Sequence, residues 1–206
     1  MTKKSTQCNP TPIQIIIAHC KAITTITKQQ SHQFQMLALN QLFKNNTPIN
    51  IARQPNKKPE LITPSGYHIS VSHTKNIICL CMHTQPIGCD LEFLNRTIPD
   101  RVINRNQPTP ITRTNKEKVI LWTQLEAQCK LVYSGLRFPI SLHPITACQT
   151  IQWYDVSLSI ASQTTPIKWT LSEMTLPDDP SCWNHHDISI TPVTNTPLLT
   201  IPTTKK

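Results

Sequence analysis

The chain has 206 residues and a formal net charge of +9, with 20 basic side chains against 11 acidic ones. That length suits one large or two small domains burying roughly 70% of the unfolded surface. No stretch of about 18 apolar residues is present to span a bilayer, so no membrane partner is expected. Aromatic residues make up only 5% and are not interleaved with Lys or Arg. That argues against nucleic acid, as does the lack of a helix-turn-helix or zinc-finger pattern.

From the N-terminus, residues 1–12 are polar and read as loose. The β-branched run Ile13 to Ala18 reads as a strand. A helix follows from about Lys28 to Lys44, with Phe34, Leu37 and Leu42 on its apolar stripe. Residues 45–66 carry Asn, Pro and Lys and read as loops with short strand pieces. Strands are then expected near 67–73, 77–83 and 86–92. The stretch Asn95 to Asn115 is rich in Arg, Asn, Thr and Pro and reads as a loop or short-helix insert. A helix is expected over 116–134, closed by Gly135. Strands should follow near 150–161 and 166–172, and beyond Pro177 irregular structure or a frayed tail. Eight cysteines contain no Cys-x-x-Cys, and no secretory apolar region stands behind charged residues at the start. A reduced, cytoplasmic protein is the expectation, with Cys79 and Cys81 as core thiols sharing one strand face. The cluster Cys182-Trp183-Asn184-His185-His186 lacks a complementary ligand pair.

The most informative segment is Pro86-Ile87-Gly88-Cys89-Asp90-Leu91-Glu92. Asp90 and Glu92 at i and i+2 share a face of an extended strand. Adjacent carboxylates raise one another's pKa unless a cation separates them, and oxygen-only ligands suit a hard ion such as Mg²⁺. On the downstream helix, Trp122, Glu126 and Lys130 at i, i+4 and i+8 line one face. Taken alone, the acids read equally as a solvated strand edge, and Glu126–Lys130 as an ordinary helical pair.

The order of four motifs carries a resemblance. Lys58-Pro59-Glu60-Leu61 comes first, then Ser72-His73-Thr74, then Gly88-Cys89-Asp90-Leu91-Glu92, then Trp122 with Glu126 and Lys130. This succession resembles the 4'-phosphopantetheinyl transferases of the larger, surfactin-synthetase-activating type. The resemblance implies an α+β pseudo-dimer of two similar halves, residues 1–84 and 85–206, with the active site in the cleft between them. It implies Mg²⁺-dependent transfer of the phosphopantetheine arm of coenzyme A to a serine of an acyl or peptidyl carrier protein, by a monomeric enzyme. By motif position, Asp90, Glu92 and Glu126 would hold the metal, with Glu126 also the base for the carrier serine, directly or through a metal-bound water. Ser72 and His73 would touch phosphates, Lys130 would steady the pyrophosphate, and Lys58 and Pro59 would border the nucleotide. Arg96, Arg101, Arg105 and Arg113 would meet an acidic carrier.

Departures from the family pattern are visible. Leu125 stands where the family has Lys before the metal-binding Glu, so a lysine restored there is expected to be tolerated. Lys57 stands where Gly is common, and the family's N-terminal basic residues have no match. An inactive relative that binds coenzyme A or carrier protein without transfer, and a basic nucleic-acid-binding module, remain the alternatives.

Overall fold

The structure, a computed structural model, describes residues 11–44, 47–54, 57–104, 113–132, 147–163, 167–184, 188–194 and 198. Gly135, Arg105, His185 and His186 lie outside these. Strand β1 (Ile13–His19) leads to helix α1 (Lys28–Leu42), then β2 (Asn50–Ala52), β3 (Glu60–Thr63), β4 (His68–Thr74), β5 (Ile77–His83) and β6 (Ile87–Phe93). A short helix α2 (Asp100–Ile103) and the long α3 (Asn115–Val132) follow, then β7 (Ala147–Trp153), β8 (Val156–Ser162), β9 (Trp169–Thr175), a 3-10 turn (Pro180–Asn184) and β10 (Ser189–Pro192). The mixed α+β class matches the sequence reading.

Local signals account for the helix starts. Thr27 caps α1 through a reciprocal box, its Oγ1 accepting from Gln30 N at 3.2 Å while Thr27 N donates to Gln30 Oε1 at 2.9 Å. Thr114 and Glu117 repeat the device at α3. Each box satisfies backbone donors that the first turn leaves without helical partners.

One sheet has the order β10-β9-β1-β5-β4 and another the order β6-β8-β7, with β2 and β3 forming a separate hairpin. Strands β1, β5 and β4 are antiparallel neighbours, as are β6, β8 and β7. Both triplets therefore run first, third, second along the chain, with a helix after the first strand. Strand β9 pairs parallel to β1, and β10 antiparallel to β9. A division between residues 84 and 85 thus leaves β9 hydrogen-bonded across it to β1, with β10 carried along on β9.

The two large sheets stack face to face. Ile13, Ile15, Ile17, Ile77, Cys79 and Cys81 of the first meet Ile87, Cys89, Leu91, Leu158 and Ile160 of the second. On the first sheet's outer face, α1 buries Phe34, Ala38 and Leu39 against Ile16, Ile69, Ile78 and Leu80. Trp183 completes this core, donating its indole N–H to Pro177 O at 3.0 Å. The second sheet's outer face is covered by α3. The result is a helix–sheet–sheet–helix stack.

Two sequence expectations need correction. The region 150–161 is not one strand but the end of β7 and the start of β8, folded at Tyr154-Asp155, with Tyr154 at φ 50°. A tyrosine in the left-handed region gives none of the Gly or Asn signal that marks such turns. Beyond Pro177 the chain is not merely irregular, because the 3-10 turn and β10 close the first sheet.

Gly88 fixes how closely α3 lies on β6. A Cβ at Gly88 would overlap the Ala127 carbonyl oxygen and the Leu131 amide, both helix backbone atoms that cannot rotate aside. Gly88→Ala should therefore lower stability in urea unfolding by about 3 kcal/mol or more as α3 is displaced. A variant within about 0.5 kcal/mol of the parent, the range of an ordinary surface change, would mean that the close approach is not required.

Candidate active site at the seam between the sheets

Strands β4 and β6 run side by side without a backbone ladder between them; serine hydroxyls make the connection. Cys89 N donates to Ser70 Oγ at 3.0 Å, and Leu91 N to Ser72 Oγ at 3.3 Å. Strand alternation makes this possible. Ser70 and Ser72 fall on one face of β4, and β6 turns its odd residues into the core and its even residues toward α3.

Gly88, Asp90 and Glu92 consequently share the face that α3 covers, the pairing expected from sequence. Asp90 is 5% exposed. Its Oδ1 accepts from Ser72 Oγ at 2.7 Å and from Lys130 Nζ at 2.7 Å, and Lys130 Nζ also reaches Ser72 Oγ at 3.1 Å. Three of the expected site residues, from β4, β6 and α3, thus meet at one oxygen. Glu126 joins them through a hydrogen bond to Asp90.

Lys130 pairs with Asp90 rather than with Glu126 one turn away. Burial works against its ammonium charge, but Asp90, Cys89 and Glu126 together raise it above the ordinary lysine range. Burial likewise raises Asp90, with Lys130 and Ser72 acting in the opposite direction. Glu126 moves from 4.5 to about 7, first through burial and then through the Asp90 charge, with Lys130 and Arg96 opposing.

Glu92 makes a separate set of contacts. Its Oε1 accepts from Thr74 Oγ1 at 2.6 Å and from Phe93 N at 3.0 Å, while Oε2 is bound by Arg96. Arg96 is the link between this set and Glu126, on which its charge also acts. Sequence reasoning gave neither Thr74 nor Arg96 a role beside Glu92. The strand period contained the Thr74 signal, since Ser70, Ser72 and Thr74 recur every second residue.

His73 falls on the opposite side of β4 from Ser72 and is exposed. Partial desolvation, then the Lys130 charge, hold its imidazole below the ordinary 6.5, leaving it neutral at pH 7. Lys58 donates from Nζ to Ile87 O at 3.1 Å, at the entry to β6. Pro59 lines a cavity of about 270 Å³ with Tyr67, His68 and Ile69. Arg101 lies in the short α2, and Arg113 precedes α3.

The polar character continues beneath the acids. Thr123 Oγ1 lies 3.1 Å from Ser157 Oγ and 2.8 Å from Ser159 Oγ, and Ser159 lies 2.8 Å from Thr150 Oγ1. Ser157 and Ser159 are the cross-strand partners of Glu92 and Asp90. Buried hydroxyls of this kind satisfy one another and lock α3 onto the second sheet.

The donor set at the seam is oxygen-based: two touching carboxyl groups, a serine hydroxyl and, two residues along β6, a third carboxyl. Asp90 and Glu126 share a hydrogen bond, with Glu126 raised toward neutrality by burial and by the Asp90 charge. The three carboxyl groups do not form one compact ligand set: among the described residues the His/Cys/Asp/Glu group whose ligand atoms lie within 4.8 Å of one another is Cys79, Cys81 and Cys89, and Glu92 is engaged by Thr74 and Arg96 instead. No protein-family model matches the chain, and no curated protein matches it.

Leu125 requires a correction. Its side chain is 7% exposed within α3, so a lysine there would bury an ammonium instead of presenting one to a ligand. Leu125→Lys should destabilise the protein by roughly 2–4 kcal/mol in chemical unfolding; an unchanged midpoint would show that the side chain escapes to water.

Glu126 also predicts a pH dependence in ion-free protein. Its folded-state value is about 7 against an ordinary 4.5, so the folded chain binds the extra proton between those limits. The stability contribution is complete below about 4.5 and is lost as pH rises through about 7. Glu126→Gln should flatten that fall, which amounts to at most about 3 kcal/mol. Urea midpoints measured from pH 4.5 to 8 in chelator check this, and parallel curves for parent and variant would refute it.

Proposed function

We propose that the protein is a 4'-phosphopantetheinyl transferase acting on the serine of an acyl or peptidyl carrier protein. The observation that carries this reading is the carboxyl pair Asp90–Glu126, held with Lys130 and Ser72 at the seam between the two sheets. Support also comes from the four motifs in family order and from the twice-used strand–helix–strand–strand connectivity. That connectivity is what a pseudo-dimer of two α+β halves requires, with β9 and β10 as additions to the first half and the seam as its cleft.

In this reading Asp90, Glu92 and Glu126 would hold Mg²⁺, which would supply charge neutralisation on the coenzyme A pyrophosphate. Lys130, already cationic at the seam, binds the pyrophosphate oxygens, and neutral His73 donates an N–H to a phosphate. Lys58 and Pro59 border the nucleotide beside the 270 Å³ cavity. The carrier serine oxygen forms a bond to the β-phosphorus as the bond to the leaving phosphate oxygen breaks. The hydroxyl proton passes to the Glu126 carboxylate as general base. Adenosine 3',5'-bisphosphate leaves. A carrier with an acidic surface would meet Arg96, Arg101 and Arg113. No described helix is long and apolar enough to cross a membrane, and action as a cytoplasmic monomer belongs to the proposal.

One observation favours a second reading, in which coenzyme A or a carrier is bound without transfer. The Lys130–Asp90 ion pair at 2.7 Å already neutralises the central acid, and buried Leu125 withholds the family's additional cation. Incubation with Mg²⁺, coenzyme A and apo carrier protein separates the two. Transfer adds one phosphopantetheine mass to the carrier, and Asp90→Asn should reduce its rate at least about 100-fold, the scale of a lost electrostatic contact, with the fold retained. Coenzyme A binding without a mass change supports the second reading; neither binding nor transfer removes both.

A further inference from the structure

The core between the sheets contains a second group of ligand atoms, on the opposite face of β6 from the acids. Cys79 and Cys81 project from β5 and Cys89 from β6, and their three sulfurs lie within 4.8 Å of one another. Cys79 Sγ and Cys89 Sγ are 3.9 Å apart. All three thiols are fully buried and free of disulfide bonds. The sequence alone pairs Cys79 with Cys81. The third member is brought in only by the stacking of the second sheet, so spacing gave no sign of it.

The separation has chemical meaning. Thiolates bound at about 2.3 Å around one ion stand about 3.8–4.0 Å from one another, whether the arrangement is trigonal or tetrahedral. The Cys79–Cys89 pair already has that spacing, and the Cys81 sulfur needs to move by less than about 1 Å to join it. Hydrophobic packing asks only that sulfurs fill space; it does not require three of them to point at one centre from two sheets. Burial holds the Cys79 thiol well above its ordinary range and the neighbouring thiols and burial do the same to Cys81, whereas at Cys89 the other two thiols, the Lys130 charge and the Ser70 hydroxyl outweigh burial and favour the thiolate. At Cys89 the Ser70 hydroxyl would supply an outer hydrogen bond to a bound thiolate.

We propose that Cys79, Cys81 and Cys89 form a structural site for a soft d10 cation, with Cu(I) the best match. Soft thiolates select Cu(I) and Zn(II) over hard ions. Among the described residues no fourth Cys, His, Asp or Glu belongs to the cluster, and Cu(I) is satisfied by three sulfurs. Each ligating thiol gives its proton to solvent as the ion enters, with no change of oxidation state. Closed structural sites load as the chain folds, which reconciles complete burial with occupancy. A bound ion would tie β5 to β6 and thereby fasten together sheets otherwise joined at this edge by serine hydroxyls.

The test uses the full chain from cells supplemented with copper or zinc, purified anaerobically and desalted. Elemental analysis should give about one ion per chain, with thiolate-to-metal charge-transfer absorption in the Cu(I) form. Cys89→Ser should lose the ion, while the double variant Cys148→Ser/Cys182→Ser should keep it. X-ray absorption of the loaded parent protein should report sulfur neighbours at about 2.3 Å, a readout that survives if Cys89→Ser fails to fold. Absence of retained metal in both preparations overturns the proposal, as does equal retention by Cys89→Ser or a shell of nitrogen and oxygen only. Zinc retention with sulfur neighbours but no copper retention keeps the site and reassigns its ion.

Discussion

The hydroxyl of Ser72 joins the two halves of the stack. It accepts the Leu91 amide, donates to Asp90 and lies within reach of Lys130. A single oxygen therefore links the edge of the first sheet, the leading strand of the second and the helix that covers it. Without that bridge the Leu91 N–H would be a buried donor without a partner, and Asp90 would lose one of the groups that make its burial tolerable. Breaking such a buried pair costs about 3–5 kcal/mol, mostly because one charge is left unsatisfied. The seam is thus held by polar geometry, while the apolar layers on either side supply the bulk of the folding free energy.

The same geometry explains why two acids two residues apart behave differently. Asp90 lies deep beneath α3 and shares hydrogen bonds with Ser72, Lys130 and Glu126, so its environment is set by burial. Glu92 lies near the end of β6, where Thr74 and the partly exposed Arg96 satisfy it. A site whose members differ in hydration can divide labour, one group holding charge and another exchanging a proton. Glu126, caught between desolvation and a neighbouring carboxylate, is the member to which the proposed reaction would give proton exchange.

The helices and most strands were legible in the sequence because their periodicities are strong. Ile13 to Ala18, the Phe34–Leu37–Leu42 stripe and the Val156–Ile160 alternation each report a buried face. The relation of Asp90 to Glu92 followed from the strand period alone. Contacts between elements were not legible in the same way. Nothing in the chain announces that Lys130 prefers Asp90 to Glu126, because that choice depends on how far α3 descends onto Gly88. Leu125 looked like a missing cation until its burial was known. The β7–β8 turn was hidden because Tyr154 adopts a backbone conformation that the sequence rules reserve for smaller residues.

The parallel pairing of β1 with β9 has a kinetic consequence. Gln14 and Thr170 hydrogen-bond across 156 positions of chain. As the polypeptide emerges from a ribosome, its first strand can zip to β5 early, but its other flank waits for nearly the whole remainder to be made. During that interval an isoleucine-rich border with open amide and carbonyl groups faces solvent or a chaperone, the kind of border that invites wrong partners. Such long-range closure is slow, so the final third of the chain acts as a late latch on a structure begun by its first twenty residues.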